Sequence, residues 1–195
     1  MPFLIYIDLS NFDSSNITDM SNMFSGCYSL KEVKLTNKFN TSKVINMDSM
    51  FSGCKSLTSL DLSNFDTTNI TNMNGMFSGC VSLKEINFIN KFNTSKVINM
   101  KNMFFGCRNL FSLDLSNFDT TNVTNMNDMQ SDCFSLNKIK FINKFNTSNV
   151  INMKKNIFIG CRNLFFLDLS NFDTTNDTNM SYMFSGFSSL KENKI

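Results

Sequence analysis

One spacing pattern runs through the whole chain: six cysteines recur at intervals of 26 to 28 residues. A leucine follows each cysteine by three residues, and in most copies a methionine precedes it by four. A fixed period of this kind predicts a solenoid, in which each copy forms one coil and stacks on the next. The cysteines are Cys27, Cys54, Cys80, Cys107, Cys133 and Cys161, and Phe187 occupies the next equivalent position.

Each copy contains two segments with different hydrophobic patterns. The segment from Leu57 to Leu62 has the form LxxLxL, and its alternating end predicts a short strand with one face turned inward. From Ile70 to Cys80, apolar residues are spaced by three, three, one and three positions, which predicts a short helix with one apolar stripe. Gly79 lies where a left-handed helix C-cap is expected. Each copy is therefore predicted to be strand, turn, short helix and return.

The repeat LDLSNFDTTNITNMNGMFSGCVSL resembles that of the BspA-like leucine-rich-repeat family of bacterial surface proteins, which is common in mycoplasmas and related bacteria. The resemblance covers essentially all of residues 1–195. It implies a leucine-rich-repeat solenoid of the α/β class, a right-handed stack of about seven coils. A parallel β-sheet is expected on one face of the stack and short helices on the other.

Both ends of the chain resemble the interior of the array. Neither end has the atypical polar repeat that usually caps a solenoid. We therefore expect residues 1–195 to be a single solenoid domain that is a fragment of a longer array. End-to-end self-association through the uncapped ends is a further expectation.

One exposed position of each strand alternates in charge along the predicted stack. Neighbouring strands lie about 4.8 Å apart, so that like charges stacked at this position would repel one another. An alternation of acidic with basic or neutral residues removes that repulsion, and we interpret the column as structural. Its members are Asp8, Lys34, Asp61, Asn87, Asp114, Lys140, Asp168 and Lys194.

The composition argues against several classes of function. The net charge is only +2 and the lysines are not clustered, so a nucleic-acid-binding face is not expected. The chain has no histidine, which removes Ser-His and Cys-His dyads and the commonest metal ligand. No apolar stretch is long enough to span a bilayer, and no signal peptide or lipobox is recognisable. We expect no catalysis, no cofactor, no metal site and no membrane insertion by this segment.

Two repeated residue types nevertheless suggest chemistry. The cysteines could form disulfides or a metal column, but Phe187 fills the same position, which favours a buried, reduced cysteine in an apolar core. Asp61 and Asp66, with their copies, could be calcium ligands. Even-numbered copies carry asparagine in place of the second aspartate, which favours carboxylates that cap turns.

The positions that break the repeat carry the candidate site. Phe111, Phe165 and Phe166 replace residues that are mostly polar or charged in other copies, and they are expected on the exposed sheet. Clustered exposed aromatic residues predict a protein-binding patch. The alternatives are scatter caused by a phenylalanine-rich composition and burial by a neighbouring side chain. In the fifth copy, Gln130 replaces the stripe phenylalanine and Asp132 the glycine, which predicts the loosest helix of the stack.

The family resemblance implies a non-catalytic function. Members are mostly cell-surface proteins or lipoproteins, with adhesion to host proteins or to other cells implied for some of them. We therefore expect a cell-surface protein whose exposed sheet binds a protein ligand of the host matrix or of a neighbouring cell. The alternative is a structural spacer or a variable coat element without a dedicated ligand.

Overall fold

The computed structural model describes residues 3–36, 38–88, 92–141, 146–151, 157–170, 172–173, 175 and 181–194. Within these residues the chain forms eight strands of three residues each. All paired neighbours are parallel, so the chain makes one coil between consecutive strands. The strands are β1 (Tyr6–Asp8), β2 (Glu32–Lys34), β3 (Ser59–Asp61), β4 (Glu85–Asn87), β5 (Ser112–Asp114), β6 (Lys138–Lys140), β7 (Phe166–Asp168) and β8 (Glu192–Lys194).

The length of each coil decides how well its two strands pair. The sheet is divided into β1-β2, β3-β4 and β5-β6-β7-β8. β1 and β2 begin 26 residues apart and pair along all three residues. β4 and β5 begin 27 residues apart and belong to different sheets, whereas β6 and β7, 28 apart, share the single pair Lys138 and Phe166. The longer coils therefore either interrupt the ladder or reduce it to a single pair.

The predicted short helices are wrong, because the described residues contain no helix. In the first copy Asn22 has a φ of 58° and Gly26 a φ of 71°, and a right-handed helix cannot pass through two such left-handed residues. The segment is instead a series of tight turns. Turns and helices share an apolar spacing of three residues, so the hydrophobic pattern alone did not distinguish them.

The hydrogen bonds of the same segment explain why turns replace a helix. The amide of Cys27 donates to the carbonyl of Phe24 within one coil at 3.1 Å, and closes a turn. The amide of Phe24 donates instead to the carbonyl of Met50 in the next coil at 2.8 Å. A helix would use every amide internally. Here alternate amides join adjacent coils, so the array itself holds the segment in place.

Left-handed residues recur in two columns of the stack. The glycine column was predicted correctly as left-handed, and Asp132 takes that conformation with a φ of 60°. The second column was missed because no single residue type marks it. Glycine adopts this conformation without steric cost, and asparagine and aspartate tolerate it, so Ser49 and Tyr182 bear the most local strain in the second column. That column contains Asn22, Ser49, Gly75, Asn102, Asp128 and Tyr182.

The core is continuous along the stack, and phenylalanine rings form its centre. Phe24, Phe51, Phe77 and Phe104 are buried and lie one above another, with ring centroids 5.2, 5.9 and 5.6 Å apart. Gln130 takes the next place in this column and is fully buried. The phenylalanines of the SNFD-type turns form a second buried column, as predicted; its fully or almost fully buried members are Phe39, Phe65, Phe92 and Phe118.

A buried hydroxyl in each coil joins it to the next coil. The Thr94 hydroxyl donates to the carbonyl of Asp119 at 2.8 Å and accepts the amide of the same residue at 2.8 Å. This threonine therefore bonds between coils, where one side chain pairs with both the N–H and the C=O group of a single residue. The same double contact is made by Thr41, Thr67, Thr120 and Thr147.

Candidate functional site

The aspartates that suggested calcium binding cap turns. The carboxylate of Asp61 accepts the amide of Ser63 at 2.9 Å, and that of Asp66 accepts the amide of Thr68 at 3.1 Å. The pKa of Asp13 is lowered because the backbone amide of Ser15 stabilises its carboxylate. The predicted capping role is confirmed. In the described part of the chain, no group of three or more His, Cys, Asp and Glu side chains could hold a metal ion.

The cysteines are part of the core. All six are buried and free of disulfides, as predicted. The Cys107 thiol donates to the carbonyl of Phe77 in the preceding coil, with sulfur and oxygen 3.2 Å apart. Burial raises the pKa of Cys54 and of Cys161 to about 12. Since the thiolate is the reactive form, these side chains are suited to packing and unsuited to nucleophilic or redox chemistry.

Thiol labelling tests this assignment. At pH 8, a pKa raised from 9.0 to about 12 lowers the thiolate fraction of Cys54 about a thousandfold. We therefore expect a maleimide reagent to leave the native protein almost unlabelled over minutes and to label all six cysteines in denaturant. Mass spectrometry counts the adducts in each state. Rapid labelling of the native protein would contradict a buried cysteine column.

Neighbouring members of the exposed charge column contact one another within the sheet without placing like charges side by side. The Lys34 ammonium lies 2.9 Å from the Asp8 carboxylate, across the β1-β2 ladder. Asp61 faces a neutral partner, since its carboxylate accepts the Asn87 side-chain amide at 3.3 Å. A second ion pair joins the Lys140 ammonium and the Asp114 carboxylate at 3.2 Å. The structural interpretation of this column is therefore confirmed.

The three candidate phenylalanines are exposed on the strand side of the coils. Phe111 is 61% exposed, Phe165 43% and Phe166 37%, so burial by a neighbouring side chain is excluded. Phe166 begins β7, and the other two immediately precede the strand of their copy. The structure brings Phe111 and Phe165 together in one groove, whereas Phe166 is not among the residues that line it.

The groove lies between two aromatic walls and has a polar floor. It is open, with a volume of about 590 Å³. Asn137 lies in the intervening coil. Its backbone amide donates to the backbone carbonyl of Phe111 at 2.9 Å, and its backbone carbonyl accepts the backbone amide of Phe165 at 3.3 Å. The two phenylalanines are thus two coils apart, or about 10 Å. That spacing admits one flat or aliphatic side chain between them. The remaining lining residues are Ser135, Asn163, Ser188, Ser189 and Lys191.

One basic residue, Lys191, lines this groove, and Arg108 and Arg162 lie beside it, over Phe134, which precedes the lining residue Ser135. The Arg108 and Arg162 guanidinium carbons lie 5.4 and 4.8 Å from the centre of the Phe134 ring, and therefore flank it. The Lys191 ammonium lies 5.5 Å from the centre of the Phe165 ring. Such contacts hold a cation over an aromatic face. Sequence reasoning missed these cations, although Arg108 and Arg162 occur at equivalent positions two copies apart.

A second groove on the strands has the opposite charge. It has a volume of about 480 Å³ and lies where β4 and β5 fail to pair. Its lining includes Asp61, Glu85 and Asp114 and contains no basic residue. This groove is therefore acidic, whereas the lining of the groove between Phe111 and Phe165 contains Lys191 and no acidic residue.

Exposed isoleucines form another apolar feature, which sequence reasoning did not single out. Ile45, Ile98 and Ile151 are half exposed or more. The amide of Ile98 donates to Thr71, and that of Thr124 to Ile98, so threonines alternate with isoleucines in this column. Each isoleucine is therefore isolated from the next by a polar neighbour, and single exposed apolar residues are common on protein surfaces.

A comparison with known proteins identifies the repeat. The family model described as "Mycoplasma protein of unknown function, DUF285" matches residues 4–88 and again residues 84–195. A crystal structure of a T. pallidum leucine-rich-repeat protein is 22% identical, with a TM-score of 0.61, over 97% of this chain and 79% of that one. Together these two matches confirm the resemblance to BspA-like leucine-rich-repeat proteins and the leucine-rich-repeat fold.

Two other solved structures match less well. A leucine-rich cell surface protein from Faecalibacterium prausnitzii is 17% identical with a TM-score of 0.49, over 99% of this chain and 60% of that one. A leucine-rich-repeat protein from Bacteroides ovatus is 20% identical with a TM-score of 0.43, over 97% and 56%. The comparison with curated proteins found no match. No helix among the described residues is long and apolar enough to cross a membrane.

Proposed function

Because this chain belongs to the DUF285 family of Mycoplasma proteins of unknown function, we propose its function from the surface that its repeats expose. It is a non-catalytic cell-surface repeat protein that binds another protein through the exposed face of its parallel sheet. The observation that supports this most strongly is the groove between Phe111 and Phe165. Aromatic side chains at a concave site are typical anchors of protein interfaces.

The polar groups of the repeat support a non-catalytic function. The buried thiols have raised pKa values, and the turn aspartates are engaged by backbone amides. Each type recurs in several near-identical copies, so that no single copy is set apart by a distinct environment. An active site requires groups whose environments differ from one another.

The proposed location and partner rest on the family resemblance. BspA-like repeats are mostly found in cell-surface proteins, so the ligand is proposed to be a protein of the host matrix or of a neighbouring cell. The alternating Ile45 and Ile98 column is a weaker candidate surface, because threonines separate its apolar side chains. A groove with two aromatic walls offers a deeper contact than such a column.

The patch phenylalanines are expected to dominate binding. Immobilised, purified extracellular-matrix proteins are titrated with the whole chain and with the F111S/F165S/F166S variant. We expect the variant to bind at least about tenfold more weakly, because aromatic anchors typically contribute more than 1 kcal/mol each. Its unfolding midpoint should change little, since all three side chains are exposed.

The matched control is the I45S/I98S variant, which also removes exposed apolar side chains. We expect this variant to bind as the wild type does. Equal losses in both variants would contradict a localised patch. If the wild type binds none of these proteins at concentrations of about 100 μM, the structural-spacer alternative is favoured instead.

A further inference from the structure

We propose that the groove between Phe111 and Phe165 takes an acidic segment of the partner protein. An apolar side chain of that segment occupies the slot between the two rings, and its carboxylates bind the surrounding arginines and lysines. This inference rests on the proposed function and names the chemistry of the ligand. It is based on three observations: the distribution of charge, the placement of the cations and the width of the slot.

The stretches of chain at the groove carry more basic than acidic residues. They are residues 108–112, 134–138, 162–166 and 188–192. They contain Arg108, Lys138, Arg162 and Lys191 and one acidic residue, Glu192, which pairs with Phe166 in the ladder. The residues that line the groove itself include Lys191 and no aspartate or glutamate. The local excess of three positive charges attracts an anionic ligand.

These cations are exposed and remain able to bind carboxylates. None of the four forms an ion pair with another described residue. Arg108 and Arg162 lie over the Phe134 ring, and a guanidinium has five N–H donors, so that contact with a ring leaves donors for a carboxylate. The aromatic contact also restricts the long side chain, which lowers the entropy lost on binding.

The slot adds an apolar requirement that charge alone does not explain. Phe111 and Phe165 belong to the coils on either side of that of Asn137, and the backbones of these two coils are about 10 Å apart. This spacing leaves room for one apolar side chain to lie against both phenylalanines. The amides of Asn137 and Asn163 lie in the same groove and can bond to a peptide backbone. An acidic peptide with a central aromatic residue therefore fits this surface better than an anionic polysaccharide, which offers no side chain for the slot.

The acidic groove at the middle of the strands favours the same placement. Asp61, Glu85 and Asp114 line it without a basic residue, and Lys140 is already paired with Asp114. An acidic segment is repelled there and attracted to the later coils. The charge pattern of the sheet thus determines where the ligand binds, and it makes the site favour an acidic ligand over a basic one.

The test titrates the full chain into a fluorescein-labelled peptide, Gly-Glu-Glu-Phe-Glu-Glu-Gly, and follows fluorescence anisotropy. We expect a dissociation constant below about 1 mM at low salt and a clear weakening as the salt concentration rises. Peptides with glutamine for glutamate, or with alanine for phenylalanine, should bind at least about tenfold more weakly. Absence of binding by the parent peptide would overturn the proposal.

Two protein variants locate the site. R108Q/R162Q and F111S should each bind the peptide at least about tenfold more weakly than the wild type. K55Q/K84Q is the matched control, because it also removes two exposed cations, and the Lys55 ammonium also lies over a ring, that of Tyr28, at 4.8 Å. We expect this control to bind normally. Thermal unfolding of each variant verifies that the fold is intact.

Other outcomes separate this inference from the proposed function. Tight binding of heparin that is unaffected by F111S, together with weak peptide binding, would assign the cations to a sulfated polysaccharide and overturn the peptide proposal. If matrix binding depends on Phe111, Phe165 and Phe166 but R108Q/R162Q binds the peptide normally, only the acidic chemistry is wrong. If the F111S/F165S/F166S variant binds matrix proteins normally, the proposed function itself fails.

Discussion

The Thr94→Val variant is expected to lose about 2–4 kcal/mol of unfolding free energy, although valine has nearly the same shape as threonine. The Thr94 side chain is fully buried, and its hydroxyl bonds both the carbonyl and the amide of Asp119, each at 2.8 Å. Valine makes neither bond and leaves two backbone groups of the next coil without their partner. Urea denaturation followed by circular dichroism measures the loss.

Thr121 provides the control for this variant. Its hydroxyl also makes a hydrogen bond, to the Asp119 carboxylate at 2.7 Å, but the residue is exposed and water can replace that contact. We expect Thr121→Val to change the unfolding free energy by no more than about 0.5 kcal/mol. Equal effects of the two substitutions would show that the buried hydroxyl does not join the coils as proposed.

Gln130→Met is expected to raise the unfolding free energy by about 1–3 kcal/mol. Gln130 is fully buried in the phenylalanine column, and neither its amide oxygen nor its amide nitrogen has a hydrogen-bond partner among the described residues. A buried polar group without a partner lowers stability by its full desolvation penalty. Methionine keeps a similar length and flexibility, and carries no polar amide.

The Gln130→Ala variant separates the effect of removing the amide from the effect of losing side-chain packing. Alanine also removes the unpartnered amide but leaves a cavity, which lowers stability by about 1–3 kcal/mol or more. We therefore expect alanine to give no gain, and methionine to be more stable than both alanine and the wild type. A methionine variant less stable than the wild type would show that the amide contributes a favourable contact.

Some features of the fold could be predicted from the sequence because their chemistry is repeated faithfully. The strands, the buried cysteines and the capping aspartates each recur at one position of the copy. The conformation of the segment from Met20 to Cys27 could not be predicted in the same way. Its apolar spacing fits both a helix and a series of turns, and the decisive hydrogen bonds run to the next coil. Asn22 and Ser49 share a left-handed conformation that no common residue type indicates.

The candidate site was partly predictable for a related reason. Phe111, Phe165 and Phe166 stood out because they interrupt a regular column, and the structure exposes all three. The sequence did not indicate which of the three share a groove. Only Phe111 and Phe165 do, and they are brought together by the stacking of coils. Arg108 and Arg162 were missed because their role appears only when equivalent positions of successive copies are compared for charge.

Hydrogen exchange on the ligand-bound protein tests the central claim most directly. The whole chain is labelled with and without a saturating matrix protein identified by the binding experiment, and protection is read along the backbone. We predict that protection on binding is concentrated in residues 108–112, 134–138 and 162–166, on the strand side of the later coils. Protection centred on the isoleucine column or on the coils before β4 would contradict the assignment of this groove as the binding surface.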